Sequence, residues 1–208
     1  GLVEHFRKME VGNQTLWILF ITTEKETKYY KVSKTYQAVQ DVIKLFPNKQ
    51  NFILSHLHYP FITGNKADQI NFAIKRLKLS KNDLSEIVTG IYDDDSLPDL
   101  NTYLALKKQM RKYPNANVFQ QSSVFFANWN SFSKSTIKRT FLRMFALEQT
   151  RYTLAHELPS IRFTVDTQNT VLNKIAYSYC AGHGLFIKPE FLLEHPLPNN
   201  CYPEDLPY

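Results

Sequence analysis

The chain has 208 residues, of which 43% are hydrophobic, 14% aromatic and 21% charged, and a net charge of +6. That mixture belongs to a globular protein with room for a real core, not to a disordered, collagenous or disulfide-stapled chain. The longest purely apolar run, Leu16 to Ile21, is far below the roughly 20 residues of a membrane-spanning helix, so no transmembrane segment is expected.

Residues 2 to 11 and 15 to 33 carry Val, Ile, Phe, Trp and Thr on either side of Gly12-Asn13, a pattern that predicts two strands joined as a hairpin. Leu16 to Ile21 is apolar at both parities, as in a strand covered on both faces. From Tyr36 the period becomes helical, with Val39, Val42, Ile43 and Phe46 on one side and Pro47 as the stop. Phe52 to Tyr59 alternates as a strand, placing Phe52, Leu54, His56 and His58 on one face.

Three helices are predicted next. The first has a stripe of Ile70, Ile74 and Leu77; the second runs through Leu84, Ile87 and Val88 to a stop at Gly90; the third starts at Ser96, Pro98 and Asp99, with a stripe of Leu100, Tyr103, Leu104 and Met110. Val124 to Phe126 reads as a short strand. A fourth helix is capped by Ser135, with Ile137, Phe141, Met144 and Phe145 on its packed face and Arg139 and Arg143 projecting from the other. Strands are expected at 161–165, 171–179 and 185–187, and the prolines from Pro189 onward predict no further helix. The fold class is α+β. The expected organisation is a β-grasp-like N-terminal unit (1–65), a helical segment with a basic face (66–150), a β segment (151–190) and a flexible, Pro-rich acidic tail (191–208).

Charge is unevenly placed. Lys107, Lys108, Arg111, Lys112, Lys134, Lys138, Arg139, Arg143 and Arg151 face Glu148 alone between residues 101 and 151, whereas Glu190, Glu194, Glu204 and Asp205 stand uncompensated after Lys188. The first eight of these bases form the expected binding surface. Such a field draws an acidic protein surface, nucleic acid or a phosphoinositide. Trp129, Phe125, Phe126 and Tyr113 lie between the basic helices and would stack on bases if exposed.

Chemistry-bearing motifs are few. His56-Leu57-His58 places two imidazoles on one face of a strand, a spacing used by metal sites and by His-hydrophobic-His nucleases, and Tyr103 with Lys107 offers the tyrosine and lysine that such nucleases use. Two histidines on the exposed face of an edge strand are the plainer account. His156-Glu157 opens like HExxH, but Ser160 stands at the second histidine position and Pro159 breaks the helix. Asp93, Asp94, Asp95 and Asp99 cluster without the glycine and spaced glutamate of an EF-hand. His183, between Gly182 and Gly184, has no identifiable partner. Cys180 and Cys201 make neither a CxxC pair nor a zinc cage, and residues 1–15 lack the apolar core of a signal peptide, so an intracellular setting and no cofactor are expected.

The stretch LWILFITTEKETKYYKVSKTYQAVQDVIKLFPNKQNFILSHLHY, residues 16–59, resembles the opening of Ras-association and FERM-type ubiquitin-like modules: a strand, a turn, a second strand, a helix of the form VxxVIxxF and a third strand. The resemblance implies a β-grasp fold and a protein-binding edge strand, Lys28 to Lys34, presenting Lys28, Tyr30, Lys31 and Lys34. Tyr30 to Val42 (30–42) is also similar to the strand-to-helix join of phosphoinositide-binding PX domains, with Lys34 and Tyr36 in the basic and aromatic positions. Leu185 to Pro189 resembles a strand of pleckstrin-like domains. The function expected from these readings is a non-enzymatic binding or adaptor module for an acidic partner surface. A nucleic-acid-binding protein linked to replication or mobile elements is the alternative, and a metal-dependent nuclease or hydrolase using His56 and His58 is the third.

Overall fold

Leu2–Arg7 forms a short helix, α1, where the pattern predicts a strand. Val3 is buried and Phe6 packs beside it against the first sheet, so the apolar positions of this segment serve a helix face at a spacing of three. The turn at Gly12 is real: its φ of 60° is one that glycine adopts without strain, and Gln14 N donates to Val11 O at 3.2 Å. It joins a helix to a strand, so there is no hairpin.

The structure is a computed structural model that describes residues 2–9, 11–25, 34–77, 84, 86–93, 96–125, 129–159 and 184–198. Strand β1 (Leu16–Thr23), helix α2 (Lys34–Leu45) and strand β2 (Phe52–Tyr59) follow. The two strands pair in parallel, from Leu16 opposite Phe52 to Thr23 opposite Tyr59. Parallel neighbours need a long crossover, and α2 is that crossover. Phe52 and Leu54 are buried with Val3, and Leu16, Ile18, Phe20, Val42, Ile43 and Phe46 close around them. Each fully buried side chain of this kind contributes about 1.5–3 kcal/mol. The opposite face of the strands meets helix α3 (Lys66–Arg76), through which Ala67, Ala73 and Ile74 are buried. Leu16 to Ile21 thus has a helix packed on each face, but the cover is partial where the composition implies a fully covered strand: Trp17 is 42% exposed and the other five residues are half-buried.

Entry into α3 is set by Gly64 at φ 106°, followed by a reciprocal cap: Asp68 N donates to Asn65 Oδ1 at 3.0 Å and Asn65 N to Asp68 Oδ2 at 2.9 Å. Next come β3 (Thr89–Ile91), α4 (Thr102–Lys112), β4 (Val118–Gln120), α5 (Thr136–Tyr152) with a π-helical turn at Thr153–Glu157, β5 (Leu185–Ile187) and α6 (Pro189–Glu194). Among the described residues a second sheet has three strands in the order β3-β5-β4. The chain divides into two units, one of residues 1–89, 95–119 and 187–204, the other of 90–94, 120–186 and 205–208. The mixed content of helix and strand agrees with the α+β expectation. Among the described residues no helix is long and apolar enough to cross a membrane.

Several local expectations are corrected. Gly90 lies within strand β3 and ends no helix; an added Cβ would meet the Phe186 ring at 2.8 Å, so the glycine is there for close packing. The short strand falls at Val118–Gln120, while Val124 and Phe125 belong to no strand. Leu100 and Leu104 are exposed, and α4 buries Thr102 and Leu106 instead. Pro189 starts helix α6, where its missing N–H costs nothing, and Leu192 and Leu197 are buried, so residues 189–197 are packed chain where a flexible tail was expected from 191. Lys34 is the first residue of α2, not the end of an edge strand; Lys28, Tyr30 and Lys31 lie outside the described residues, as do the strands expected at 161–165 and 171–179, His183, Cys180 and Cys201.

The largest correction concerns α5. Ser135 caps it as expected, accepting from Lys138 N. Its buried positions, however, are Ala146 and Thr150, followed by Thr153, while Ile137, Phe141, Met144 and Phe145 are 61–74% exposed. Small residues let the helix approach closely, and Thr150 Oγ1 accepts from Phe125 N at 3.0 Å while donating to Ala146 O at 2.8 Å. Arg139 and Arg143 sit half-buried at the same helical phase as Ala146 and Thr150, the reverse of the expected outward projection.

Candidate functional site

The carboxyl ends of parallel strands, beyond their apolar half, are where α/β units place binding and catalytic groups. Here the α2-facing side of β1 and β2 changes from apolar to polar at that end. Phe20 lies opposite His56 and Thr22 opposite His58 in the register. Glu24 follows directly on β1, and α2 supplies Tyr36 and Gln40 one helical turn apart.

These groups form one connected cluster. Thr22 Oγ1 lies 2.7 Å from His56 Nε2 and 2.9 Å from His58 Nδ1. His58 Nε2 lies 2.6 Å from Glu24 Oε2, and Gln40 Nε2 lies 2.8 Å from His56 Nδ1. The Tyr36 ring meets His56 and His58 edge-on, with centroids at 4.8 and 5.5 Å. A carboxylate only accepts, so with both imidazoles neutral His58 donates from Nε2 and accepts at Nδ1; the Thr22 hydroxyl donates there and accepts from His56 Nε2–H, and His56 Nδ1 accepts from the Gln40 amide. The chain of donors therefore runs in one direction, Gln40 to His56 to Thr22 to His58 to Glu24.

Exposure grades along this chain. Thr22 is 3% exposed, whereas the His58 and Glu24 side chains are 28% and 37% exposed. Water thus reaches the Glu24 end. Burial, and next the neighbouring His58, hold the His56 imidazole below its ordinary pKa.

All four ring nitrogens are occupied, so a cation would take either imidazole only by displacing Thr22, Gln40 or Glu24. Among the described residues no group of three or more His, Cys, Asp or Glu is placed to hold a metal ion. Tyr103, on α4, is not among the groups that touch the histidine pair; burial raises its hydroxyl above the usual phenol range. Thr22, Glu24 and Gln40 escape sequence reasoning, and Tyr36 is singled out there only through the PX-domain resemblance, not as a partner of the histidines. The available signal was the switch from LWILFI to Thr22-Thr23-Glu24 at the end of an apolar strand.

The basic residues separate into two groups. On α4, Lys108 and Arg111 are exposed and Lys107 is half-buried, with none of the three in an ion pair among the described residues. Lys112 lies 4.8 Å from the Tyr113 ring centroid. Lys134 and Lys138 are exposed at the start of α5. Arg143 is engaged internally: Nε donates to Trp129 O at 3.0 Å, Nη2 to Asn130 Oδ1 at 3.2 Å, and the guanidinium lies 5.1 Å from the Trp129 ring centroid. Arg151 pairs with Glu148 at 2.5 Å. Helices α4 and α5 belong to different units. His156 lies in the π-helical turn; Asp94 and Asp95 lie outside the described residues.

Compared with known proteins, the chain matches no family model, no curated protein and no solved structure.

Proposed function

We propose that the cluster at the ends of β1 and β2 is an acid–base site, and that the chain is a hydrolase of phosphate esters with His58 as the proton-transferring group. The observation that carries this is the single directed hydrogen-bond chain from Gln40 to Glu24. A base oriented by a carboxylate is the arrangement general base catalysis requires. When His58 takes a proton at Nδ1, the Thr22 hydroxyl turns its hydrogen away and Oγ1 accepts from both imidazoles, from His58 Nδ1–H and from His56 Nε2–H. The added proton stays on His58, where the Glu24 carboxylate at Nε2 stabilises the imidazolium. The exposed bases of α4, in the same unit, support an anionic substrate.

Turnover of bis(p-nitrophenyl) phosphate and of labelled oligonucleotides, with Mn²⁺ or Mg²⁺ and with chelator, tests the reading. His58→Gln should lower the rate by roughly 10²-fold or more while leaving the unfolding midpoint near that of the parent. Equal rates for the two proteins would remove the proposal.

Lys108 and Arg111 of α4, exposed and in no ion pair among the described residues, favour a second reading, a binding module for an acidic protein surface. The ubiquitin-like reading of residues 16–59 belongs with it, supported by a strand, a VxxVIxxF helix and a strand in that order. Lys108→Glu with Arg111→Glu should abolish salt-sensitive binding to an acidic partner surface without changing hydrolysis; retained binding would exclude α4 as the contact.

A further inference from the structure

On the other face of β2, helix α3 presents Asp68, Asn71, Phe72 and Lys75 as one stripe, at spacings of three and four. Across this stripe runs the chain that follows α6. Asn71 Nδ2 donates to Leu197 O at 2.8 Å, and Leu197 N donates to Asn71 Oδ1 at 2.9 Å. One side-chain amide therefore satisfies both backbone groups of a single residue 126 positions away, as a neighbouring strand would. Leu197 is 8% exposed, and prolines on both sides, Pro196 and Pro198, hold the backbone extended.

This strap fills only part of the space. Beside Pro196 and Leu197 a cleft of about 330 Å³ remains, lined by Tyr59, Phe61, Phe72 and Lys75 among others. Tyr59, Phe61 and Phe72 meet edge to face at 5.1, 5.4 and 6.3 Å, and Phe61 is 52% exposed. Lys75 is exposed and in no ion pair among the described residues. Aromatic walls are what proline-rich extended peptides dock against, and a clamped backbone supplies the register.

We infer that α3 carries a docking groove for an extended Pro–apolar–Pro peptide of a partner protein, with an acidic residue beside the motif to meet Lys75. Pro196-Leu197-Pro198 is the intramolecular occupant, and the partner must displace it. This inference rests on the clamp and the cleft and is independent of the histidine cluster. A tethered competitor acts at an effective concentration on the order of millimolar, so it suppresses binding of a free peptide by the ratio of that concentration to its own dissociation constant.

The test uses the full chain and a fluorescein-labelled peptide copying Glu194 to Pro198. The parent protein should bind it weakly, Leu197→Asp at least about ten-fold more tightly because the strap no longer competes, and Leu197→Asp with Asn71→Leu should lose that gain. No gain from Leu197→Asp, or no effect of Asn71→Leu upon it, would overturn the inference. If Leu197→Asp fails to fold, limited proteolysis of the parent decides: saturating peptide should speed cleavage between residues 195 and 208 several-fold, and an unchanged rate refutes displacement. A parent protein that runs as a dimer while Leu197→Asp runs as a monomer would also overturn it, in favour of strap exchange between copies.

Discussion

Replacing Thr22 by valine keeps the shape of a side chain that is 3% exposed and removes only its hydroxyl. Two hydrogen bonds are lost, to His56 Nε2 at 2.7 Å and His58 Nδ1 at 2.9 Å. At about 1 kcal/mol net for each, and with the half-buried His56 N–H left without its acceptor, the cost is about 2–3 kcal/mol. The lower end is favoured, because the His58 side chain is 28% exposed and water can replace its donor. Urea unfolding gives the energy, and long-range ¹H–¹⁵N spectra of the imidazoles give the proton positions. In the parent both rings should carry the proton on Nε2. In Thr22→Val, His58 should keep it there, still held by Glu24, while His56 becomes a mixture of tautomers. A stability change under about 0.5 kcal/mol with both tautomers unaltered would refute the directed chain, and with it the acid–base reading.

The depressed pKa of His56 sets the sign of a pH effect. The unfolded chain binds a proton more readily than the folded one, so stability should fall as pH drops below the ordinary value of 6.5 and level off above it, and His56→Gln should flatten that slope in urea titrations from pH 5 to 8. Gly64→Ala forces a Cβ to 2.5 Å from Tyr59 Oη at a φ of 106°; it should cost about 1–3 kcal/mol, and an unchanged melting temperature would count against the Gly64–Asn65 entry into α3. Arg143→Ala removes two hydrogen bonds and a ring contact from Trp129 and Asn130; a loss of about 1–2 kcal/mol with red-shifted tryptophan emission is expected, and neither change appearing would return Arg143 to the surface.

Much of the N-terminal unit was legible in the sequence because its period is unmistakable. Leu16 to Ile21 and Phe52 to Tyr59 each read as strands, the Val39–Phe46 spacing reads as a helix, and two His at alternate positions must share a face of β2 whatever surrounds them. The capping signal at Ser135 is local, carried by side chains within a few residues of the helix start. What failed was every inference that needed to know what lay opposite an element. Residues 2–7 satisfy an apolar pattern for either a helix or a strand, and only packing of Val3 and Phe6 onto the β1–β2 sheet selects the helix. An amphipathic stripe says that one face of α5 is apolar but not that it is the covered one; Ala146 and Thr150 allow closer approach, and Thr150 finds the backbone of Phe125.

The same division holds for the sites. Composition and spacing determined that this chain is α+β, that its charge excess lies between residues 101 and 151, and that His56 and His58 are paired. The tertiary structure decided that Thr22 stands between those two rings, that Glu24 and Gln40 end the chain of donors, and that Asn71 holds Leu197 across 126 residues. Covalent spacing propagates side-chain direction over only a few residues in a strand or helix, whereas hydrogen-bond partners from separate segments are chosen by parallel register, helix crossover and burial, which the whole fold sets.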